Sequence, residues 1–229
     1  MKALAIDTTN NVLGIAIVEE DKVIGEYITN LKKNHSVRAM PAVERLLSDC
    51  DITPKQLDKI IVATGPGSYT GVRIGVSIAK TMAWALQLPI VGVSSLEILA
   101  ANGRFFNGLI SPIFDARRGQ VYTGLYQYDN QELVTVENDQ NLLLTDWLEM
   151  LKSKNERILF LGNDLPIHEK AITHVLGEMA ESAQVALHNP RPSELAIIGL
   201  KKNAEDVHSL VPNYIRLAEA EAKWLEQQK

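Results

Sequence analysis

The chain has 229 residues, of which 46% are hydrophobic and 22% are charged, values typical of a soluble globular protein with one large domain or two small ones. Its formal net charge of −5 argues against a free-standing nucleic-acid binder, because such proteins normally carry a basic surface. The one cysteine, Cys50, excludes an intramolecular disulfide and a cysteine-based zinc site.

No segment has the pattern of a secretory signal or of a membrane span. The N-terminal apolar run reaches only Ile6 before Asp7, which is too short for a signal-peptide core. The most apolar stretch, residues 74–101, is interrupted by charged, amide and proline residues. We therefore expect a cytoplasmic protein that does not bind a membrane.

Three strands are predicted at the N-terminus, at residues 3–6, 12–18 and 23–28, because apolar and β-branched side chains dominate these runs. Ser36 is the predicted N-cap of an amphipathic helix. Pro41 falls near the start of this helix, where a missing N–H delays or bends the first turn.

The following elements alternate between helices and strands. In chain order they are a short helix opened by a capping box at 53–56, a strand at 59–63, a glycine-rich loop at 64–70, a long helix at 71–87, a strand at 89–93 and a helix at 94–101. The last helix begins with a second capping box, formed by Ser94 and Glu97. This order predicts a mixed sheet covered by helices on both faces.

The pattern of the first segment recurs about 108 residues later. Residues 109–115 form an apolar run that ends in Asp115, as residues 3–6 run into Asp7. Further predicted strands follow at 120–128, 133–136 and 157–161. Similarity at a fixed period indicates repeated units. The alternative is that two unrelated α/β units have similar patterns of strands, turns and hairpins.

We therefore predict an α/β fold of the duplicated actin-like (ASKHA), ribonuclease-H-like class. Its two halves are expected at residues 1–103 and 104–229, with the last helix packing back on the first half. In such folds ligands lie in the cleft at the strand ends.

Asp7 and Thr8 stand where the first strand ends, which gives two interpretations. A carboxylate at a strand end can hold Mg²⁺ through water and so face a nucleotide phosphate. Alternatively, the side chain of Asp7 closes the hairpin through an Asx turn.

A glycine-rich loop containing Gly65, Gly67 and Ser68 precedes the long helix. Glycines and a helix N-terminus suit an anion, but the sequence is neither a Walker A motif nor G-x-G-x-x-G. The alternative is a strand-to-helix turn shaped for packing.

Small residues recur every four positions along the long helix, at Gly71, Gly75, Ala79 and Ala83. Such a ridge lets another backbone approach closely, and this helix is apolar nearly all round. Two interpretations stay open. The ridge is covered within one domain, or it meets another chain.

Asp115, Arg117 and Arg118 lie in the turn of the second hairpin. Paired arginines suit a phosphate or a carboxylate, and the alternative is a solvated turn. No H-x-x-x-H pair and no G-x-S-x-G elbow is present in the sequence. The sequence therefore predicts neither a metal hydrolase nor a serine hydrolase.

Several segments in a fixed order carry a resemblance to a known family. They are residues 5–8 (AIDT), 35–36 (HS), 40–41 (MP), 65–75 (GPGSYTGVRIG), 115–122 (DARRGQVY) and 212–216 (PNYIR). Together they resemble the TsaB (YeaZ) family from residue 1 to about residue 225. Tyr69 stands where phenylalanine is commoner in the family.

The resemblance implies a cytoplasmic, actin-like protein required for threonylcarbamoyladenosine formation beside the tRNA anticodon. It implies no catalytic residue and no metal site in this chain. The paralogue TsaD would transfer the threonylcarbamoyl group, and the complex would recruit the ATPase TsaE. The family pairs through its first two long helices, with itself as a homodimer or with TsaD, and tRNA is met mainly through the complex.

This resemblance moves the small-residue ridge toward the interface interpretation. The expected interface residues are Val37, Met40, Val43, Gly71, Val72, Gly75, Val76, Ala79, Met82 and Ala83. The expected nucleotide or anion contacts are Asp7, Thr8, Gly65, Gly67, Ser68, Asp115, Arg117 and Arg118. We expect no required cofactor, with weak ATP or Mg²⁺ binding at most. The alternative function is an actin-like ATP-dependent phosphotransferase or ATPase acting alone.

Overall fold

Two five-stranded mixed sheets form the framework of the computed structural model, which describes residues 1–20 and 22–215. The strands of the first sheet are β1 (Lys2–Asp7), β2 (Val12–Glu19), β3 (Lys22–Asn30), β4 (Lys59–Gly65) and β5 (Ile90–Ser94). The strands of the second are β6 (Leu109–Asp115), β7 (Gln120–Asp129), β8 (Glu132–Leu143), β9 (Ile158–Leu161) and β10 (Ala180–Ser182).

The two sheets have the same topology. The first runs in the order β3-β2-β1-β4-β5 and the second in the order β8-β7-β6-β9-β10. In each, the first strand pairs antiparallel with the second and parallel with the fourth. Asp7 and Asp115 end the central strands β1 and β6. The predicted duplication and the mixed sheets are therefore confirmed.

Six α-helices are found in the described residues. They are α1 (Ala39–Asp49), α2 (Tyr69–Leu86), α3 (Ser95–Ala100), α4 (Leu144–Lys154), α5 (Leu165–Leu176) and α6 (Pro192–Lys201). Short 3-10 helices lie at His35–Val37, Pro54–Gln56, Ala101–Gly103, Gly177–Met179 and Val185–Leu187. None of the described helices is long and apolar enough to cross a membrane.

One predicted helix start is confirmed and one is wrong. The hydroxyl of Ser94 accepts the backbone N–H groups of Leu96 and Glu97 and so caps α3. Ser36, in contrast, lies inside a 3-10 helix capped by Asn34. Helix α1 begins later because Pro41 has no N–H to donate to residue 37, so its first bond runs from Ala42 N to Arg38 O at 3.0 Å.

Helices cover both faces of the first sheet. On one face α1 and α2 pack on Leu4, Ile6 and Ile60, which are fully buried. On the other face Leu195 of α6 packs with Ala3 and others of the sheet. Helix α6 belongs to the last part of the chain, so that part closes the core of the first half. The boundaries 1–103 and 104–229 stay a prediction, and residues 216–229, with Arg216 of the last motif, lie outside the described residues.

A half-buried carboxylate joins the two halves. Asp139 of β8 accepts hydrogen bonds from the hydroxyls of Ser94, at the end of β5, and Tyr126 of β7. Burial raises the pKa of the Asp139 carboxyl, although these two hydrogen bonds act in the opposite direction. The folded chain therefore favours the protonated form of Asp139 more than an unfolded chain does.

Replacement of Asp139 by asparagine is expected to flatten the pH dependence of stability. An unfolded aspartate has a pKa of about 3.9, so the folded chain keeps a proton that the unfolded chain has lost. The contribution of Asp139 to the free energy of unfolding then falls as the pH rises from about 4 to the folded pKa. Urea midpoints at roughly pH 4.5, 6 and 8 measure this difference. Asp129→Asn, an exposed position at the end of β7, is the control, and an unchanged profile for Asp139→Asn contradicts the prediction.

Candidate functional site

A cleft of about 740 Å³ lies where the loops after the central strands of the two sheets meet. Four of the loops follow β1, β4, β6 and β9, as expected for a cleft at the carboxyl ends of strands. The segment after β3 adds residues 32–35. The residues that line the cleft are Thr9, Asn10, Asn11, Lys32, Lys33, Asn34, His35, Gly67, Ser68, Tyr69, Thr70, Gly71, Ile74, Phe114, Asp115, Ala116, Arg117, Tyr122 and Asp164. Both halves thus contribute to one cavity.

The carboxylate of Asp7 takes part in the turn that follows β1, and Asp7 is not among the residues that line the cleft. Its side chain is 2% exposed, and Oδ1 accepts both the N–H and the hydroxyl of Thr9 at 2.8 Å. Burial raises the pKa of this carboxyl, against the hydrogen bonds from Thr9 and the nearby His35. The Asx-turn interpretation therefore describes Asp7. With its side chain buried and Oδ1 bonded to Thr9, Asp7 does not present its carboxylate to a ligand in the cleft.

Thr8 also has a structural role. It is 1% exposed, and its hydroxyl donates to the carbonyl oxygen of Gly71 at 2.6 Å. This bond ties the end of β1 to the first turn of α2. Thr8 and Gly65 are both absent from the described lining of the cleft.

The glycine-rich loop contributes Gly67 and Ser68 to the cleft wall. Ser68 is the N-cap of α2, with its hydroxyl accepting the N–H of Gly71 at 3.2 Å, and its own N–H donates to the carbonyl oxygen of Thr9. The exposed Thr70 lies beside it. A helix N-terminus and hydroxyl groups suit an anion chemically.

In the second half, Asp115 lines the cleft and is contacted by His168 and Asp164. His168 of α5 is 7% exposed, and its Nε2 lies 3.2 Å from Asp115 Oδ1. The carboxylate of Asp164, also in the cleft wall, accepts the backbone N–H of Asp115 at 2.9 Å. The sequence pattern identified Asp115 at the end of β6. It did not identify His168 and Asp164, because they follow β9, about 50 residues later in the chain.

The two arginines of the second hairpin turn separate. Arg117 lines the cleft, whereas Arg118 is not among the described lining residues. Both adopt positive φ angles, 66° and 55°. Lys32 and Lys33 of the first half also line the cleft, so the cleft carries cations from both halves.

A second, apolar depression lies between α1 and α2, and we call it the docking groove. Its volume is about 450 Å³, and its lining residues are Ser36, Met40, Tyr69, Thr70, Arg73, Ile74, Ser77 and Ile78. Met40 is 43% exposed, and Val37, on the preceding 3-10 helix, is 68% exposed. Both were among the expected interface residues. Met82, a third expected interface residue, is half-buried.

The small-residue ridge of α2, in contrast, faces the chain's own first sheet. A Cβ atom at Gly71 would overlap the carbonyl oxygen of Thr8, and one at Gly75 would lie 2.6 Å from the hydroxyl of Thr8. Ala79 and Ala83 are 0% and 1% exposed. The ridge is covered within this chain, which corrects the expectation that these residues meet another chain.

The remaining expected interface residues share this position. They are Val43, Val72 and Val76, at 1%, 2% and 4% exposure. All three belong to the core that α1, α2 and the first sheet form together. An interface on α1 and α2 would therefore use their outer faces.

Sequence reasoning missed the aromatic cluster at the rim of the docking groove. Tyr69 stacks on Tyr214, with ring centroids 5.1 Å apart, and the guanidinium carbon of Arg73 lies 4.3 Å from the centre of the Tyr69 ring. Tyr69 and Arg73 are four residues apart on α2, a spacing at which side chains are neighbours. That spacing was a usable signal, whereas Tyr214 is distant in sequence.

Comparison with known proteins places the chain among tRNA-modification proteins. The model of the TsaD family, described as tRNA N6-adenosine threonylcarbamoyltransferase, matches residues 22–224. The chain is 67% identical to the tRNA threonylcarbamoyladenosine biosynthesis protein TsaB of Bacillus subtilis (strain 168), over 100% of both chains. It is 35% identical to the TsaB of Buchnera aphidicola subsp. Schizaphis graminum, over 68% of this chain and 76% of that protein.

A solved structure agrees with the fold. YeaZ from Pseudomonas aeruginosa superposes with a TM-score of 0.77 at 23% identity, covering 93% of this chain and 99% of that one. Its coverage includes both halves. The predicted α/β fold with two equivalent mixed sheets is confirmed, and it is the fold of YeaZ.

Proposed function

The chain belongs to the TsaB family of tRNA threonylcarbamoyladenosine biosynthesis proteins, and on that premise we propose that it is the non-catalytic subunit that binds the catalytic paralogue TsaD. A role in threonylcarbamoyladenosine biosynthesis follows from the family. The proposal of a non-catalytic, TsaD-binding subunit rests on the docking groove and on the contacts that Asp7 and Asp115 make within the chain.

The docking groove is the observation that carries this proposal. Met40, Ile74 and Ile78 line it with apolar surface, and Val37 beside it is 68% exposed. An apolar patch rimmed by polar residues marks a protein interaction site. The match of this chain to the TsaD family supports a paralogue of the same fold as the partner.

The cleft supports a non-catalytic role. Asp7 is engaged in its own turn, and Asp115 is contacted by His168. We propose that the cleft holds at most a weakly bound anion, ATP included, at Ser68, Thr70 and Arg117. No catalytic step is assigned to the cleft.

The remaining partners follow from the same proposal. The docking groove takes a second copy of the chain when TsaD is absent, which gives a homodimer in isolation. The pair with TsaD recruits the ATPase TsaE, and tRNA is met mainly through the partners, in keeping with the net charge of −5. We place this complex in the cytoplasm.

Reconstitution of tRNA modification tests the proposal. Purified TsaD, TsaE, substrate tRNA, Mg-ATP and an activated threonylcarbamoyl donor are assayed for threonylcarbamoyladenosine with and without this chain. We expect product only when the chain is present, and equal product in its absence refutes the role. The rival function, an ATPase or phosphotransferase acting alone, predicts robust Mg-ATP turnover by this chain that Asp7→Asn abolishes.

Met40→Asp is expected to weaken TsaD binding about 50-fold or more. A carboxylate at this position would lose its hydration against an apolar partner, a cost of several kcal/mol. Calorimetric titration with TsaD gives the affinity, and sizing of the chain alone gives the dimer. Val134→Asp is the matched control, because Val134 of β8 is 46% exposed and lies outside the docking groove. Parent-like TsaD binding by Met40→Asp contradicts the docking assignment.

A further inference from the structure

Arg73 is held in a fixed position at the rim of the docking groove. Its guanidinium carbon lies 4.3 Å from the Tyr69 ring centre and 5.9 Å from that of Tyr214. Its Nε donates to the hydroxyl of Tyr214 at 2.8 Å. Because a guanidinium has five N–H donors, this hydrogen bond leaves most of them available to a further acceptor.

The position of Tyr214 depends on a segment that we call the C-terminal strap, residues 205–215. The strap crosses the edge of the first sheet and the side of α2. Its anchoring hydrogen bonds are Glu205 N to Ile90 O at 2.8 Å, Lys80 Nζ to Leu210 O at 2.7 Å and Asn213 N to Thr64 O at 2.7 Å. Leu210 is 2% exposed and belongs to the core. Tyr214 is thus placed by the anchored part of the strap that precedes it and by its contacts with Tyr69 and Arg73 of α2.

The charge of the docking groove is concentrated on this one side chain. Of its eight described lining residues, Arg73 alone is charged, beside Met40, Ile74 and Ile78. The matching surface is apolar with one negative charge at its rim. A planar guanidinium binds a carboxylate through two parallel hydrogen bonds, which a lysine cannot reproduce.

We propose that Arg73, held beside the stacked rings of Tyr69 and Tyr214, receives an aspartate or glutamate carboxylate from the rim of an apolar surface of the TsaD paralogue that docks in the groove. This inference rests on the proposed function and names the chemistry of the partner's surface. Tyr214 is a positioning residue that orders the guanidinium before binding. Ordering in advance lowers the entropic cost of forming the pair.

Affinity for purified TsaD, measured at several salt concentrations, tests the pair. Arg73→Met is expected to bind about 10-fold more weakly or worse, because it removes a charge-assisted hydrogen bond of the interface. Its affinity is also expected to depend less on salt than that of the parent. Arg73→Lys keeps the charge and is expected to show a smaller loss with the parent's salt dependence.

Tyr214→Phe separates positioning from packing. It keeps the ring on Tyr69 and removes only the hydroxyl that accepts Arg73 Nε. We expect a loss of about threefold in affinity with an unchanged salt dependence, because the charge of Arg73 remains. Parent-like affinity of Tyr214→Phe refutes the positioning role.

A second arginine serves as the matched control. Arg157 lies 5.2 Å from the Phe106 ring centre and pairs with Glu181, outside the docking groove. Arg157→Met is expected to bind TsaD like the parent. Parent-like affinity of Arg73→Met overturns the inference, as does a loss of affinity with an unchanged salt dependence. Either result leaves docking in the groove intact, which Met40→Asp tests separately.

Discussion

Gly71→Ala is expected to destabilise this chain by about 3 kcal/mol. In a helix, alanine normally stabilises by up to ~1 kcal/mol relative to glycine. Here the added methyl group would overlap the carbonyl oxygen of Thr8, which belongs to the backbone and cannot rotate away. The overlap also displaces the hydrogen bond from the Thr8 hydroxyl to Gly71 O, 2.6 Å long. Urea unfolding followed by circular dichroism measures the difference.

Two variants of the same helix control this result. In Gly75→Ala the new methyl group would lie 2.6 Å from the hydroxyl of Thr8. This side-chain atom can shift at the cost of its hydrogen bond to Gly71 O, whereas a backbone carbonyl cannot, so we expect a smaller loss than for Gly71→Ala. Ser77→Ala, on the exposed side of α2, is expected to change stability by less than about 0.5 kcal/mol. Parent-like stability of Gly71→Ala would show that β1 and α2 can separate without cost.

Trp147→Ala is expected to cost about 4 kcal/mol of unfolding free energy. Trp147 of α4 is 0% exposed and is among the largest fully buried side chains. Its Nε1 donates to the hydroxyl of Ser111 at 3.0 Å, and that oxygen lies 3.2 Å from Thr123 Oγ1. The substitution therefore leaves a cavity and also removes a donor from a buried polar pair.

Trp84→Ala is the matched control for this prediction. Trp84 of α2 is 65% exposed, so its removal is expected to change stability by about 0.5 kcal/mol or less. Circular dichroism at 222 nm is the suitable probe, because both variants lose indole fluorescence. Equal midpoints for Trp147→Ala and Trp84→Ala would contradict the assignment of Trp147 to the core.

The strand pattern of this chain could be predicted because short apolar runs ending in aspartate are a local signal. The recurrence of Asp7 at Asp115 gave the duplication in the same way. The covering of the α2 ridge could not be predicted, since four-residue spacing shows which residues share a face but not what packs on it. The contact between Arg73 and Tyr214 joins residues 141 positions apart, and no local pattern reports such a distance.

The site shows the same limit. The sequence placed Asp7 at the end of a strand correctly, but the direction of its carboxyl depends on Thr9 and on burial. Gly67, Ser68, Asp115 and Arg117 were placed in the cleft because their loops follow central strands. His168 was missed, since its contact with Asp115 requires α5 to pack beside β6.

The return of α6 to the first sheet has a consequence for synthesis on the ribosome. The face of the sheet that α6 covers includes Ala3 and Ile61, yet α6 itself spans Pro192–Lys201. At about 5–20 residues per second, roughly 5–20 s pass between the emergence of β5 and that of α6. During this interval the nascent first half presents an uncovered apolar face. A message truncated before residue 192 therefore yields a chain whose exposed apolar face binds chaperones and makes it a substrate for proteases.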